Sequence, residues 1–108
     1  MIAIQSEAPP LRIEESGAIR IGDTRVLLEI VVNAFRAGAA PEEIARDYST
    51  LELSDVYAVI AYCLRHPNEI DEYLSERERI AADVRARIEA RQGDLKDLRE
   101  KLLSRKPD

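Results

Sequence analysis

A chain of 108 residues with a net charge of −5, no tryptophan and a single phenylalanine holds one small domain with room for an appendage and few large core aromatics. A compact part of ~70 residues lies near the lower limit for a self-sufficient core, so a second copy or a partner would help to stabilise it. One cysteine, Cys63, excludes an intramolecular disulfide, and no apolar run approaches the ~20 residues of a membrane span.

The first residues, Met1-Ile2-Ala3-Ile4, lack the basic run that opens a secretory signal. With the lone cysteine, this makes a cytoplasmic location without membrane attachment the expectation. Charge is uneven along the chain. Residues 1–50 carry five arginines against eight acids, whereas residues 75–108 carry ten basic residues against eight acids, including all three lysines. An acidic body opposes nonspecific nucleic-acid binding by a monomer, because phosphate affinity comes from cationic side chains. A local basic patch in a dimer stays open.

Residues 1–10 read as a flexible leader ending in Pro9-Pro10. Leu11-Arg12-Ile13-Glu14 and Ala18-Ile19-Arg20-Ile21 alternate apolar and polar residues, the period of a half-buried strand. The Glu15-Ser16-Gly17 connection has turn length and a glycine for positive φ, which predicts a β-hairpin. Gly22-Asp23 breaks the second strand.

From Val26 the period becomes helical. Leu27, Ile30, Val31, Ala34 and Phe35 share one face, and Gly38 stands where a left-handed cap would end the helix. Pro41 suits the first turn of the next helix, Glu42-Glu43 suit its dipole, and Ile44, Ala45 and Tyr48 supply its buried stripe. Ser54 is placed to N-cap a third helix whose inner face is Val56, Val59, Ile60 and Cys63. His66-Pro67 marks its end.

A fourth, long amphipathic helix follows Pro67. Ile70, Leu74, Arg77, Ala81, Val84, Ile88, Arg91, Leu95, Leu98 and Leu102 follow one another at alternating steps of four and three. That is a heptad seam interrupted by two arginines, with Gly93 as a cap or hinge and residues 104–108 as a frayed end. The expected fold is therefore mainly α: a short N-terminal β-hairpin, a three-helix helix-turn-helix core and a long C-terminal helix. The organisation is a leader over 1–10, a hairpin-plus-helix domain over 11–66 and a helical extension over 67–108.

Catalytic and metal chemistry find no inventory. His66 and Cys63 are the only residues of their types, too few for a zinc site. The acids sit among basic partners at helical spacing, as in Asp83/Arg87 and Asp97/Lys101, and there is no phosphate-cradling glycine loop. The reading is a protein that is not an enzyme and takes no cofactor or metal.

Two features point outward. Arg12, Arg20 and Arg25 lie on the hairpin or just after it, where they can face one surface. In a two-fold dimer they would form a cationic strip for phosphate oxygens; the other reading is ion pairing with Glu14, Glu15 or Asp23. The acidic opening of the third helix, Glu52 and Asp55, counts against a helix-in-groove contact. The tail seam can lie in a partner's groove, pair with its own copy or pack back on the body. Its leucines continue past Gly93 at a density that calls for a cover.

The run Ile21-Gly22-Asp23-Thr24-Arg25-Val26, the step Gly38-Ala39-Ala40-Pro41-Glu42-Glu43-Ile44, the turn Tyr48-Ser49-Thr50-Leu51 and the helix start Asp55-Val56-Tyr57-Ala58 resemble the bacterial domain of unknown function 433. The resemblance covers roughly residues 11–66. Asp23 stands between the glycine and Thr24-Arg25, and Ser49 replaces the usual proline; both changes fall in turns. The resemblance implies a homeodomain-like helix-turn-helix, often dimeric, of the kind found in antitoxins of type II toxin–antitoxin pairs encoded beside a PIN-like ribonuclease.

On that basis the expected function is an antitoxin. A homodimer or higher oligomer binds operator DNA through Arg12, Arg20 and Arg25. The tail neutralises a PIN-like toxin through Leu74, Val84, Ile88, Leu95, Leu98 and Leu102. The alternatives are an oligomerisation or adaptor module that does not bind DNA, and a stand-alone transcription regulator.

Overall fold

The structure is a computed structural model that describes residues 2–104. The leader's Met1 and residues 105–108 of the frayed end expected over 104–108 lie outside the described residues, whereas Ser104 is the last helical residue of the chain's final helix. The elements run β1 (Leu11–Ile13), β2 (Ile19–Ile21), α1 (Leu28–Arg36), α2 (Pro41–Asp47), α3 (Leu53–Arg65) and α4 (Pro67–Ser104). The chain divides into two compact units, Met1–Asp71 and Glu72–Asp108. The mainly helical fold with an N-terminal hairpin and a long last helix matches the sequence reading.

In the first unit, β1 and β2 pair antiparallel with Leu11 opposite Ile21, Arg12 opposite Arg20 and Ile13 opposite Ile19. Successive side chains alternate faces, so the isoleucines and Leu11 share one side and the arginines the other. The apolar side is deep at one end only. Ile21 is completely buried, whereas Ile13 is 74% exposed. The connecting turn closes through Gly17 N–H to the Glu14 carbonyl at 2.9 Å, with Gly17 at φ +90°.

The helical pattern beginning at Val26 starts later in the structure. Val26 and Leu27 stay extended because Ile21 N–H donates to the Val26 carbonyl at 3.0 Å, and Leu27 bridges Arg20. Helix α1 thus begins at Leu28. It ends as its glycine dictates: Gly38 adopts φ +103°, Ala39 N–H reaches the Ala34 carbonyl and Gly38 N–H the Phe35 carbonyl, both at 3.0 Å. Those two bonds satisfy carbonyls that a helix end leaves unpaired.

Pro41 takes the first position of α2, with Glu42 and Glu43 in its first turn. Ile44 is buried as expected, but Tyr48 is exposed. Tyr48 caps α2, its N–H on the Ile44 carbonyl, and its own carbonyl takes the Leu51 N–H at 2.9 Å. Leu51 therefore fills the buried position that Tyr48 would have taken. This turn also moves the start of α3. Ser54 does not cap it; Glu52 is the N-cap residue, with its carbonyl accepting from the N–H groups of Asp55 and Val56.

α1 packs on α2, α3 and β2, and α2 packs on α3. The core they enclose comprises Ala18, Ile21, Leu28, Val31, Val32, Ile44, Leu51, Val56, Val59, Ile60 and Ile70. The last of these belongs to the first turn of α4. Among the described residues no polar or charged side chain is buried.

In the second unit α4 runs without interruption through Gly93 to Ser104, so this glycine neither caps nor hinges it. One interior glycine costs a helix only about 1 kcal/mol relative to alanine, and the neighbouring Arg91, Gln92, Leu95 and Lys96 are good helix formers. Asp83 pairs with Arg79 at 3.0 Å, one turn earlier than the Arg87 suggested by spacing.

Leu28 is completely buried where α1 meets the hairpin and α3. Leu28→Ala is expected to lower unfolding free energy by about 2–5 kcal/mol. Urea denaturation followed by circular dichroism measures it.

Candidate functional site

The site grows from one turn. After β2 the chain reverses over Gly22-Asp23-Thr24-Arg25 and returns alongside Arg20. Gly22 permits this with φ +54°, and its N–H donates to the Pro10 carbonyl at 2.9 Å. Thr24 then ties the turn from both sides. Its hydroxyl donates to the Ile21 carbonyl at 2.7 Å and accepts from Val26 N–H at 3.1 Å. A threonine in this place substitutes its side chain for backbone partners that the turn lacks.

The three arginines singled out from the sequence converge on this turn in different roles. Arg12 donates through Nη2 to the Thr24 carbonyl at 3.1 Å. Arg20 donates through Nη1 to the Arg25 carbonyl and through Nε to the Glu14 carboxylate. Two like charges directly opposite on a hairpin repel, and the Glu14 carboxylate and the two carbonyls offset that repulsion. Of the partners foreseen for ion pairing, Glu14 is the one Arg20 takes. Arg25 is exposed, and its guanidinium has no hydrogen-bond or ion-pair partner among the described residues. It lines an open depression of about 700 Å³ with Asp23, Thr24, Val26, Ile30 and Thr50.

The adjoining surface of α3 is acidic. A Cβ built on Gly22 would stand 3.5 Å from an Asp55 carboxylate oxygen, so that carboxylate lies against the base of the turn. Farther along, the Tyr57 hydroxyl donates to the Glu42 carboxylate, linking α3 to α2. That bond holds the Glu42 carboxyl below the ordinary carboxylate range and pushes the Tyr57 phenol up. At the end of α3, Tyr62 stacks on His66 with centroids 4.4 Å apart and donates to Glu69 at 3.2 Å. His66 Nδ1 stands 3.8 Å from the same Glu69 carboxylate oxygen. The imidazole thus faces a carboxylate and a ring. Burial pushes the Cys63 thiol up, away from the thiolate needed for nucleophilic chemistry. Among the described residues no group of three or more His, Cys, Asp or Glu is placed to hold a metal ion. None of the described helices is long and apolar enough to cross a membrane.

The tail residues lie in the second unit. Val84, Ile88, Leu95, Leu98 and Leu102 are between 46% and 61% exposed, joined by Leu103; Leu74 is half-buried. The polar side of the helix is laced by Arg79 with Glu76 and Asp83, and by Arg85 with Glu78 at 2.9 Å.

Sequence reasoning missed Thr24 and the Tyr57–Glu42 link. The first had a signal, a threonine two residues after a glycine that ends a strand; the second joins residues 15 apart on two helices, and no spacing announces it. Thr24→Val keeps the shape but removes both hydroxyl bonds, and is expected to cost about 1–3 kcal/mol; differential scanning calorimetry reads it. Glu42→Gln is expected to move the Tyr57 midpoint down towards the ordinary phenol value. An ultraviolet tyrosinate titration, with Tyr57→Phe identifying the ring, checks this. Because the folded phenol is raised, its contribution is present below the unfolded pKa and is lost as pH rises through the folded one.

No match to this chain is found among curated proteins or among solved structures. Residues 15–63, from the hairpin turn almost to the end of α3, match the family described as "Protein of unknown function (DUF433)", the same family that the Gly-Asp-Thr-Arg-Val run and its companion motifs resemble.

Proposed function

We propose that this protein is an antitoxin of a type II toxin–antitoxin pair. In this reading the dimeric hairpin–helix body contacts operator DNA, and α4 occludes a PIN-like ribonuclease. The observation that supports it best is the row of exposed large hydrophobics on α4, Val84, Ile88, Leu95, Leu98 and Leu102, on a helix whose other side is charged. Such a row fits the groove of a protein partner, with anchors three and four residues apart. The motif resemblance supplies the class of that partner.

The DNA contact narrows to Arg25. Arg12 and Arg20 spend donors on turn carbonyls and Glu14, so they position the turn, while Arg25 leaves its guanidinium free for a phosphate. The second reading, an oligomerisation or adaptor module that does not bind DNA, is favoured by Asp23 beside that arginine in the depression, by Asp55 against the base of the turn, and by Glu52 at the start of α3. A stand-alone regulator shares the DNA contact and lacks the toxin.

Two measurements separate these readings. Co-expression with the PIN-like reading frame next to the gene should rescue growth, and Leu98→Glu with Leu102→Glu should abolish rescue; unchanged rescue removes the tail assignment. A gel-shift titration on the upstream promoter at several salt concentrations tests the body. Arg25→Ala should weaken binding and lower the salt slope by about one per arginine. Absence of binding at low salt would leave the adaptor reading.

A further inference from the structure

The seam of α4 has two properties that choose its cover in the free protein. The first is where its arginines fall. Arg77 and Arg91 occupy d-type positions of the heptad, with Ala81, Ile88, Leu95 and Leu102 at a and Val84 and Leu98 at d. In a parallel pair of identical helices each d residue meets its own copy, so Arg77 would face Arg77 and Arg91 would face Arg91 across a desolvated layer. In an antiparallel pair a meets d, and each arginine faces an aliphatic side chain whose edge lets the guanidinium reach water.

The second property is charge left unused. Arg87 and Asp94 are both exposed, flank the seam at g-type positions, and have no ion-pair partner among the described residues. Closer to the body the helix pairs charges internally, Arg79 with Glu76 and Asp83 and Arg85 with Glu78. In an antiparallel pair g faces g. Ile70 is buried in the body and takes no part. The longest register that leaves it out sets Arg77 against Leu102, Ala81 against Leu98, Val84 against Leu95 and Ile88 against Arg91 of the second copy. The two-fold axis falls between Glu89 and Ala90. In that register Arg87 lies beside Asp94 of the other chain, twice by symmetry.

We infer that α4 pairs antiparallel with α4 of a second copy over residues 77–102, closed by two Arg87–Asp94 ion pairs. The paired segment is about 39 Å long at 1.5 Å per residue. The exposed row Val84, Ile88, Leu95, Leu98 and Leu102 becomes its interior. The pairing belongs to the free chain and does not depend on the antitoxin reading. A toxin using the same leucines would compete with it.

The experiment is sedimentation equilibrium of the full-length protein without partner or DNA. Wild type should be a dimer, and Leu95→Glu with Leu98→Glu a monomer whose body unfolds at an unchanged urea midpoint, because neither residue belongs to the core. Arg87→Asp sets Asp against Asp94, and Asp94→Arg sets Arg against Arg87; each should raise the dimer Kd roughly tenfold. The double exchange should restore it. A parallel pair would place Arg87 beside Gln92, leaving Arg87→Asp nearly silent. A monomeric wild type, a dimer that survives the glutamates, or a double exchange that fails to restore association overturns the proposal. Failure of toxin neutralisation alone would leave it standing, since the mass is measured on the chain by itself.

Discussion

Ile21 is the residue on which the body depends. Its side chain is completely buried, its N–H goes to the Val26 carbonyl, and its carbonyl accepts from both the N–H and the hydroxyl of Thr24. One residue thereby ends the hairpin, closes the turn and sets where Leu28 enters the core at the start of α1. The turn has little apolar surface of its own, so backbone bonds must fix it. Arg12 and Arg20 add to this by gripping the next two carbonyls. Charge that would be costly to bury stays at the rim, bonded to backbone oxygen and to Glu14.

The same arrangement sorts the three arginines by what they can do. A guanidinium with its donors committed to carbonyls can still approach a phosphate, but only by giving up bonds that hold the turn. Arg25 gives up none. The acids around it set an upper limit on its use: Asp55 lies against Gly22 and Asp23 adjoins the arginine in the depression. A single cation in an acidic setting binds a polyanion weakly. Duplication in a dimer, or a second basic element, has to supply the rest.

Most of the architecture is legible in the sequence, for identifiable reasons. The alternation through Leu11–Glu14 and Ala18–Ile21 carries the hairpin, Gly38 carries the cap of α1, and Pro41 the start of α2, because each imposes a local geometry that tertiary packing then accepts. The misplaced details are those set by long-range bonds. Val26 and Leu27 look helical by period, yet the bond to Ile21 keeps them extended. Ser54 looks like a cap, yet Leu51's burial starts the helix earlier. Gly93 looks like a break, yet the surrounding helix formers carry α4 past it. At the site, the three arginines were legible as a group because of their spacing. Their division into positioning and free residues was not, since it depends on which carbonyls the turn aims at them.

The two halves of α4 are held by different physics. Between Glu76 and Asp83 the helix carries ion pairs at three- and four-residue spacing, with Arg79 between two acids, and Arg85 reaches Glu78 seven residues back. Each such pair contributes about 0.2–0.5 kcal/mol, enough in combination to favour a helix locally. Beyond Arg85 the exposed Ile88, Leu95, Leu98, Leu102 and Leu103 bury little surface in the single chain, so the helix there rests on propensity, which Gly93 weakens. Covering the leucines, by a second copy or by a partner, therefore adds stability to this second half that propensity alone does not supply. The resulting coupling has a direction. Whatever covers the seam also steadies the segment, so the affinity of any occupant and the stability of these helical turns are linked. A charge placed at Leu95 or Leu98 should then loosen the helix and release the occupant together, because both rest on the same buried surface.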